Sequence, residues 1–328
     1  MAEKRRLERE KLATYLPFDA SETPKWRKKE EVTILEMITK IMDYHKKWEE
    51  AKSTNMYDGS LVEKVRNQFL VEFIFHVNME EEKGFGTCEE TGKFLNSFYS
   101  RGGNLQRSLS IKEQETINLE KAYKHLLEKI EREEEARDYG FMACSLLKET
   151  HHILLENIDL RKGSTKPGKF SEEERWVEFN GEVYKYPYYP KPGDMEEAVD
   201  RLIQKYNRMF HLCTKDGLKE CDDLYYLFKT CAWLLFELLD LHPFGNGNGR
   251  LCRILCSYVL SKFTPFPTPV YNVWTDSSKN DYKQALVDTR KAKSTGRHPT
   301  ALTTMIIECS YYGWGKFFEA LDNSKGSC

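Results

Sequence analysis

Residues 242–253 read HPFGNGNGRLCR, and no other stretch of the chain joins so many chemically useful groups. Pro243 fixes φ and ends a preceding helix, while Gly245, Gly247 and Gly249 remove the Cβ atoms that would hold a ligand's phosphates off the backbone. The loop then opens a new helix, whose first N–H groups lack partners and carry the positive end of the helix dipole, which favours a bound anion. Arg250 and Arg253, three residues apart on the first turns, share a face and can grip phosphates together. Phe244 reads as an anchor into the core. A free histidine side chain has a pKa near ~6.5, which makes His242 the group suited by type to taking a proton at neutral pH. A base beside a bound polyphosphate implies attack on phosphorus by an external hydroxyl. Glycine-rich loops also serve as plain connections and a histidine at a helix end as a cap, but the combination of all these groups favours phosphate binding.

The segments around the loop are helical. Leu224, Leu227, Phe228, Cys231, Leu234, Leu235 and Leu238 give residues 222–241 a broad apolar face, as expected of a central buried helix. A second helix starts near Asn248 and runs to about Phe263, before Pro265. Further helices are predicted from Pro24 to about Trp48, over 61–79, 110–137, 142–155 and 195–210, and as two closing helices over 281–291 and 301–321. The stretch 161–193 differs in kind. RWVEF and EVYKY flank Asn180 and Gly181, and an Asn-Gly pair between alternating runs predicts a β-hairpin, because both residues tolerate positive φ. A lone hairpin gains little stability. Its expected role is a flap over 172–190 that pairs with an extended peptide, with Val177, Phe179, Val183 and Tyr184 as docking residues. The expected fold class is all-α with this one hairpin.

With 328 residues, 40% hydrophobic and 31% charged, the chain has apolar material for one large domain or two small ones. A net charge of −2 argues against nucleic acid as the partner. No apolar run approaches the ~20 residues of a membrane helix and the charged start lacks a secretory core, so a cytoplasmic protein is expected. The nine cysteines are scattered and read as reduced core thiols; Cys252 and Cys256, one turn apart, lack a second pair at zinc spacing.

The 242–253 segment resembles the signature of the Fic family, HxFx(D/E)GNGRxxR, matching at His242, Phe244, Gly247, Asn248, Gly249, Arg250 and Arg253 and departing at Asn246. The likeness extends loosely from about residue 70 to 320. It implies a Fic-type helical bundle over 66–323 behind an N-terminal helical extension, 1–65. It also implies a protein adenylyltransferase that moves AMP from ATP to a Ser, Thr or Tyr hydroxyl of a target protein. His242 would be the general base, and Gly245, Gly247, Asn248, Gly249, Arg250 and Arg253 would hold the nucleotide, with Tyr282 as a weaker family match. Glycine at 249 separates the chain from the Doc branch, which carries lysine there and acts as a kinase. Another donor (UTP, GTP or a choline nucleotide) and a nucleotide-binding pseudoenzyme remain open, as does a homodimer.

Asn246 stands where the family has an acid that coordinates Mg²⁺. An amide oxygen ligates a hard cation without its charge, so Mg²⁺ (or Mn²⁺) is expected to bind less tightly. FIFHVNMEEEKG, within 73–84, resembles the family's inhibitory helix, (S/T)xxxE(G/N), with Glu81 at the glutamate. Val77 replaces the hydroxyl residue and Glu82 the Gly or Asn. The resemblance implies that Glu81 pairs with Arg253 and suppresses activity; an acidic helix end facing solvent is the alternative.

Overall fold

The computed structural model describes residues 24–28, 32–103, 107–136, 142–160, 166–292 and 298–325, with Leu7, Glu10, Lys11 and Leu16 before them. Among these, ten helices and one hairpin account for the regular structure. In chain order they are α1 Ile34–Ser53, α2 Gly59–Met79, α3 Cys88–Ser100, α4 Ile111–Ala136, α5 Cys144–Leu154, β1 Trp176–Phe179, β2 Glu182–Lys185, α6 Asp194–Thr214, α7 Cys221–Leu241, α8 Asn248–Ser261, α9 Lys279–Ala292 and α10 Thr300–Lys325. The fold is therefore all-α with one small antiparallel sheet.

Two expectations are corrected near the N-terminus. The helix does not begin at Pro24. There the chain makes a turn, Arg27 N–H donating to Pro24 C=O at 3.1 Å, and Trp26 and Arg27 both bind the Glu308 carboxylate at 3.0 and 2.6 Å. The helix starts ten residues later, where Thr33 and Glu36 form a reciprocal capping box, and it runs beyond Trp48 to Ser53. The segment before Gly102 and Gly103, given no element from its sequence, is helix α3, opened by the Thr87 hydroxyl accepting from Glu90 N–H. The predicted end at Arg137 lies outside the described residues.

Contacts divide the chain into two compact units, 1–70 with 206–236 and 259–328, and 71–205 with 237–258. In the first, α1 packs along α10 around an aromatic cluster. Trp48 meets Phe317 edge-on at 5.4 Å, Tyr44 stacks on Phe318 at 5.6 Å, and Phe69 packs on Phe266 at 5.1 Å. In the second, α4 packs on α5, and Tyr123 of α4 touches Phe73 at 4.9 Å while its hydroxyl bonds Ser257 at 2.8 Å. The loop before α8, the hairpin, α5 and the end of α2 all belong to this second unit. In the hairpin Val177 faces Tyr184 and Glu178 faces Val183, and Asn180 and Gly181 take φ of 53° and 75°, the mirror-image turn expected of an Asn-Gly pair.

Candidate active site

The loop is built to hold its own shape. His242 ends α7 with its N–H donating to Leu238 C=O at 2.9 Å and its φ at 49°, the left-handed residue just past a helix end that is most often glycine. A histidine there costs about 1 kcal/mol of backbone energy. Such a cost persists where the side chain matters. The Asn248 amide closes the turn, Oδ1 accepting from Phe244 N–H at 3.0 Å and Nδ2 donating to Phe244 C=O at 2.7 Å. The Asn248 side chain thus fixes the shape of the loop through Phe244. Phe244 is fully buried, as an anchor should be.

That anchor has a partner the sequence did not disclose. His151 of α5 stacks on Phe244 with ring centroids 3.7 Å apart and planes within 12°. Its Nδ1 accepts from Gly168 N–H at 2.9 Å, so its proton sits on Nε2, which donates to Asn246 C=O at 3.0 Å. Burial pushes the imidazole pKa down to about 4, so it stays neutral at physiological pH. Gly247, at φ 77°, packs close to the same group: a Cβ there would sit 3.6 Å from His151 Nε2 and from Leu154 and Leu155. The only forewarning was a histidine on the inner face of an amphipathic helix, a pattern common to ordinary core residues.

The two arginines differ. Arg250 and Arg253 are both buried, at 2% and 3% exposure. Arg253 is ion-paired with Glu81 and also approaches Val77 C=O at 3.5 Å. Arg250 has no such pair: its Nη1 is buried without a hydrogen-bond partner among the described residues. Burial lowers its pKa, against the opposing pull of Glu115 and Glu81. A buried guanidinium group with an unfilled donor, one turn into a helix behind a glycine loop, suits an oxyanion such as phosphate.

Glu81 lies over the same helix start. A Cβ at Gly249 would overlap the Glu81 carboxylate and come within 3.4 Å of Arg253 Nη1. What places Glu81 is the cap of α2. Lys83 N–H donates to Asn78 C=O at 2.9 Å and Glu82 N–H to Met79 C=O at 3.0 Å, the paired bonds of a Schellman end, and Glu82 takes the left-handed position with φ 57°. This explains physically why glycine or asparagine suits the position after the glutamate. Glu115 of α4 secures the turn by accepting from Gly84 N–H at 3.0 Å and pairing with Lys83 at 3.4 Å.

Asn246 is exposed, and its Oδ1 accepts from Gly247 N–H at 2.6 Å. One neutral amide oxygen is a thin donor set for Mg²⁺, which fits an ion held mainly by phosphates and water. Gly245 is exposed beside it. Among the described residues no cluster of three or more His, Cys, Asp or Glu side chains is arranged to bind a metal. On the hairpin, Val177 and Val183 are exposed and Phe179 and Tyr184 half-buried, the latter donating to Glu182 at 2.5 Å. Tyr186, just past β2, was not anticipated; its ring lies on the His242 imidazole at 3.9 Å and 11°. Tyr282 belongs to the first unit, stacked on Tyr271 at 4.3 Å.

Residues 141–260 match the Fic/DOC family model, a span that takes in α5, the hairpin and the whole loop. The chain carries a Fic/DOC domain. A Fido domain-containing protein of Dictyostelium discoideum is 28% identical over 132 residues, 40% of this chain and 82% of that protein. The ribonucleoside-diphosphate reductase small chain of Ostreid herpesvirus 1 is 30% identical over 124 residues, 38% of this chain but only 20% of the viral protein. Among solved structures, a Fic domain containing signaling protein from Bacteroides thetaiotaomicron aligns at a TM-score of 0.64 and 17% identity, covering 88% of this chain and 97% of its own. Fic-1 from C. elegans aligns at 0.61 and 15%, covering 89% of this chain and 73% of the other. At such identities the structures share a fold. Among the described residues no helix is long and apolar enough to cross a membrane.

Proposed function

We propose that this Fic/DOC domain is a protein adenylyltransferase, transferring AMP from ATP to a hydroxyl side chain of a target protein. The observation that carries the reading is the buried, unpartnered Nη1 of Arg250 behind the Gly247–Gly249 turn, in the same unit as an imidazole on a left-handed backbone position. In this reading the orphan N–H groups at the start of α8 and the two guanidinium groups hold the nucleotide phosphates. His242 takes the proton of the target hydroxyl as its oxygen bonds to the α-phosphorus, the bond to the bridging oxygen breaks, and pyrophosphate leaves. Preorganised cations facing the charge that develops on the phosphate oxygens are the main source of acceleration in such transfers. Mg²⁺, with Asn246 Oδ1 as its protein ligand, would supply further charge neutralisation on the phosphates. The exposed edge of the hairpin, flanked by Val177 and Val183, offers the target's extended segment a strand to pair with. Glu81, by holding Arg253, restrains the site.

The test is intact-mass spectrometry of the chain with candidate targets, after incubation with ATP, UTP, GTP or a choline nucleotide and Mg²⁺ or Mn²⁺. An AMP adduct that His242→Ala abolishes while nucleotide binding survives is the expected result. An adduct of different mass would reassign the donor. Nucleotide binding with no adduct under any condition would overturn transfer in favour of a nucleotide-binding interaction module.

A further inference from the structure

The root of the hairpin is joined to the loop by a closed circuit of contacts, all within the second unit. Ser171 N–H donates to the carbonyl of Pro243, the residue after His242, at 2.8 Å. The Ser171 carbonyl accepts from Arg175 Nη1 at 3.5 Å, and Arg175 Nη2 donates to Pro187 C=O. Arg175 C=O accepts from Tyr186 N–H at 2.9 Å, extending the hairpin ladder by one pair past Trp176 and Lys185. The circuit closes where the Tyr186 ring lies flat on the His242 imidazole, 3.9 Å away with planes within 11°. Arg175 is 9% exposed, and its two Nη groups donate to backbone carbonyls on both sides of the hairpin, so it acts as a clamp across the hairpin's mouth.

We infer that Tyr186 is a positioning residue for His242, held in place by Arg175. The inference rests on the reading of His242 as the base. An imidazole has a broad χ2 preference, so a histidine just past a helix end does not hold one ring plane unaided. A phenol face at stacking distance removes that rotation before substrate arrives, so that less rotamer freedom is lost in reaching the transition state. Because Tyr186 directly follows β2, a target segment pairing with the hairpin acts on the strand that carries this ring. Substrate docking and orientation of the base are thereby mechanically joined.

The test compares Tyr186→Phe, which keeps the ring, with Tyr186→Leu, which removes it, and His242→Ala in the full chain. Steady-state transfer is expected to lose about tenfold in kcat for Tyr186→Leu, with KM for ATP within about twofold and near-complete rescue in Tyr186→Phe. A second readout needs no turnover. In histidine-labelled protein, the His242 ring protons should show the upfield shift of a stacked aromatic in wild type and Tyr186→Phe, and lose it in Tyr186→Leu. Unchanged kcat or unchanged His242 resonances in Tyr186→Leu overturn the proposal. If His242→Ala transfers at the wild-type rate, the base assignment itself fails; if it abolishes transfer while Tyr186→Leu is silent, only the positioning role fails.

Discussion

Removing the Glu81 carboxylate should accelerate transfer, and the structure sets the scale. Arg253 is 3% exposed at its side chain and Glu81 40%, so the pair is neither a solvated surface contact nor a fully buried one. Exposed pairs contribute about 0–1 kcal/mol, whereas hydrogen bonds to charged groups contribute about 1.5–3 kcal/mol. About 1.5 kcal/mol is the corresponding middle value, and every ~1.4 kcal/mol is tenfold in an equilibrium. A nucleotide that must displace Glu81 to reach Arg253 therefore finds the free guanidinium group in roughly one molecule in ten. In Glu81→Gly that competition disappears, and the rate at fixed ATP should rise about tenfold. Glu81→Gln keeps the bulk over Gly249 but not the charge, and should fall between the two. The assay is incorporation of label from α-labelled ATP, with ATP affinity measured separately. If both variants transfer within about twofold of wild type, the ion pair is a structural contact and the restraint is refuted.

Two further outcomes follow from the same geometry. Asn246→Asp should keep the bond from Gly247 N–H while adding a charge, lowering the Mg²⁺ concentration for half-maximal transfer by about tenfold; an unchanged metal dependence would show that position 246 does not ligate. Acid should destabilise the fold before any carboxylate protonates. Burial holds His151 down to about 4 and His298 to about 3, and also lowers His45, so the unfolded chain takes up these protons first. Their stabilisation is complete above the unfolded pKa of ~6.5 and is lost as pH falls below it. At ~1.36 kcal/mol per unit, lowering pH from 7.5 to 5 should remove about 2 kcal/mol for each of the two deeply buried rings. Urea midpoints that stay level across that range would contradict their neutral burial.

What the sequence disclosed was what local chemistry decides. Asn180-Gly181 announced the hairpin because its turn needs positive φ at two successive positions, and the helices over 222–241 and 248–263 followed from apolar periodicity and from Pro243 and Pro265. The glycine loop and its arginines stood out as a candidate phosphate site because they form one contiguous stretch. The false helix start at Pro24 arose because local rules favour it, whereas the Glu308 carboxylate, distant in sequence, holds Trp26 and Arg27 in a turn. His151 and Tyr186 were missed for a similar reason. Each is defined by a ring it meets 93 and 56 residues further along the chain, at Phe244 and His242, and nothing around either marks that partner.

The non-glycine residues just past the ends of α2 and α7, Glu82 and His242, both sit in the left-handed region where glycine or asparagine is cheaper. At His242 the proposed role as general base supplies a reason. At Glu82 the side chain supplies none: the residue is exposed, and its backbone alone shapes the turn that carries Glu81. Glu82→Asn should therefore relieve strain of about 0.5–1 kcal/mol and tighten the cap without touching any group in the site. If the cap sets how firmly Glu81 engages Arg253, the transfer rate should fall about two- to fivefold, opposite in sign to the Glu81→Gly effect. In a Glu81→Gly background the same substitution should change nothing, since no carboxylate remains for the turn to present. An equal slowing in both backgrounds would mean that the α2 cap acts on stability alone, with Glu81 held by Arg253 and Gly249 regardless of the turn.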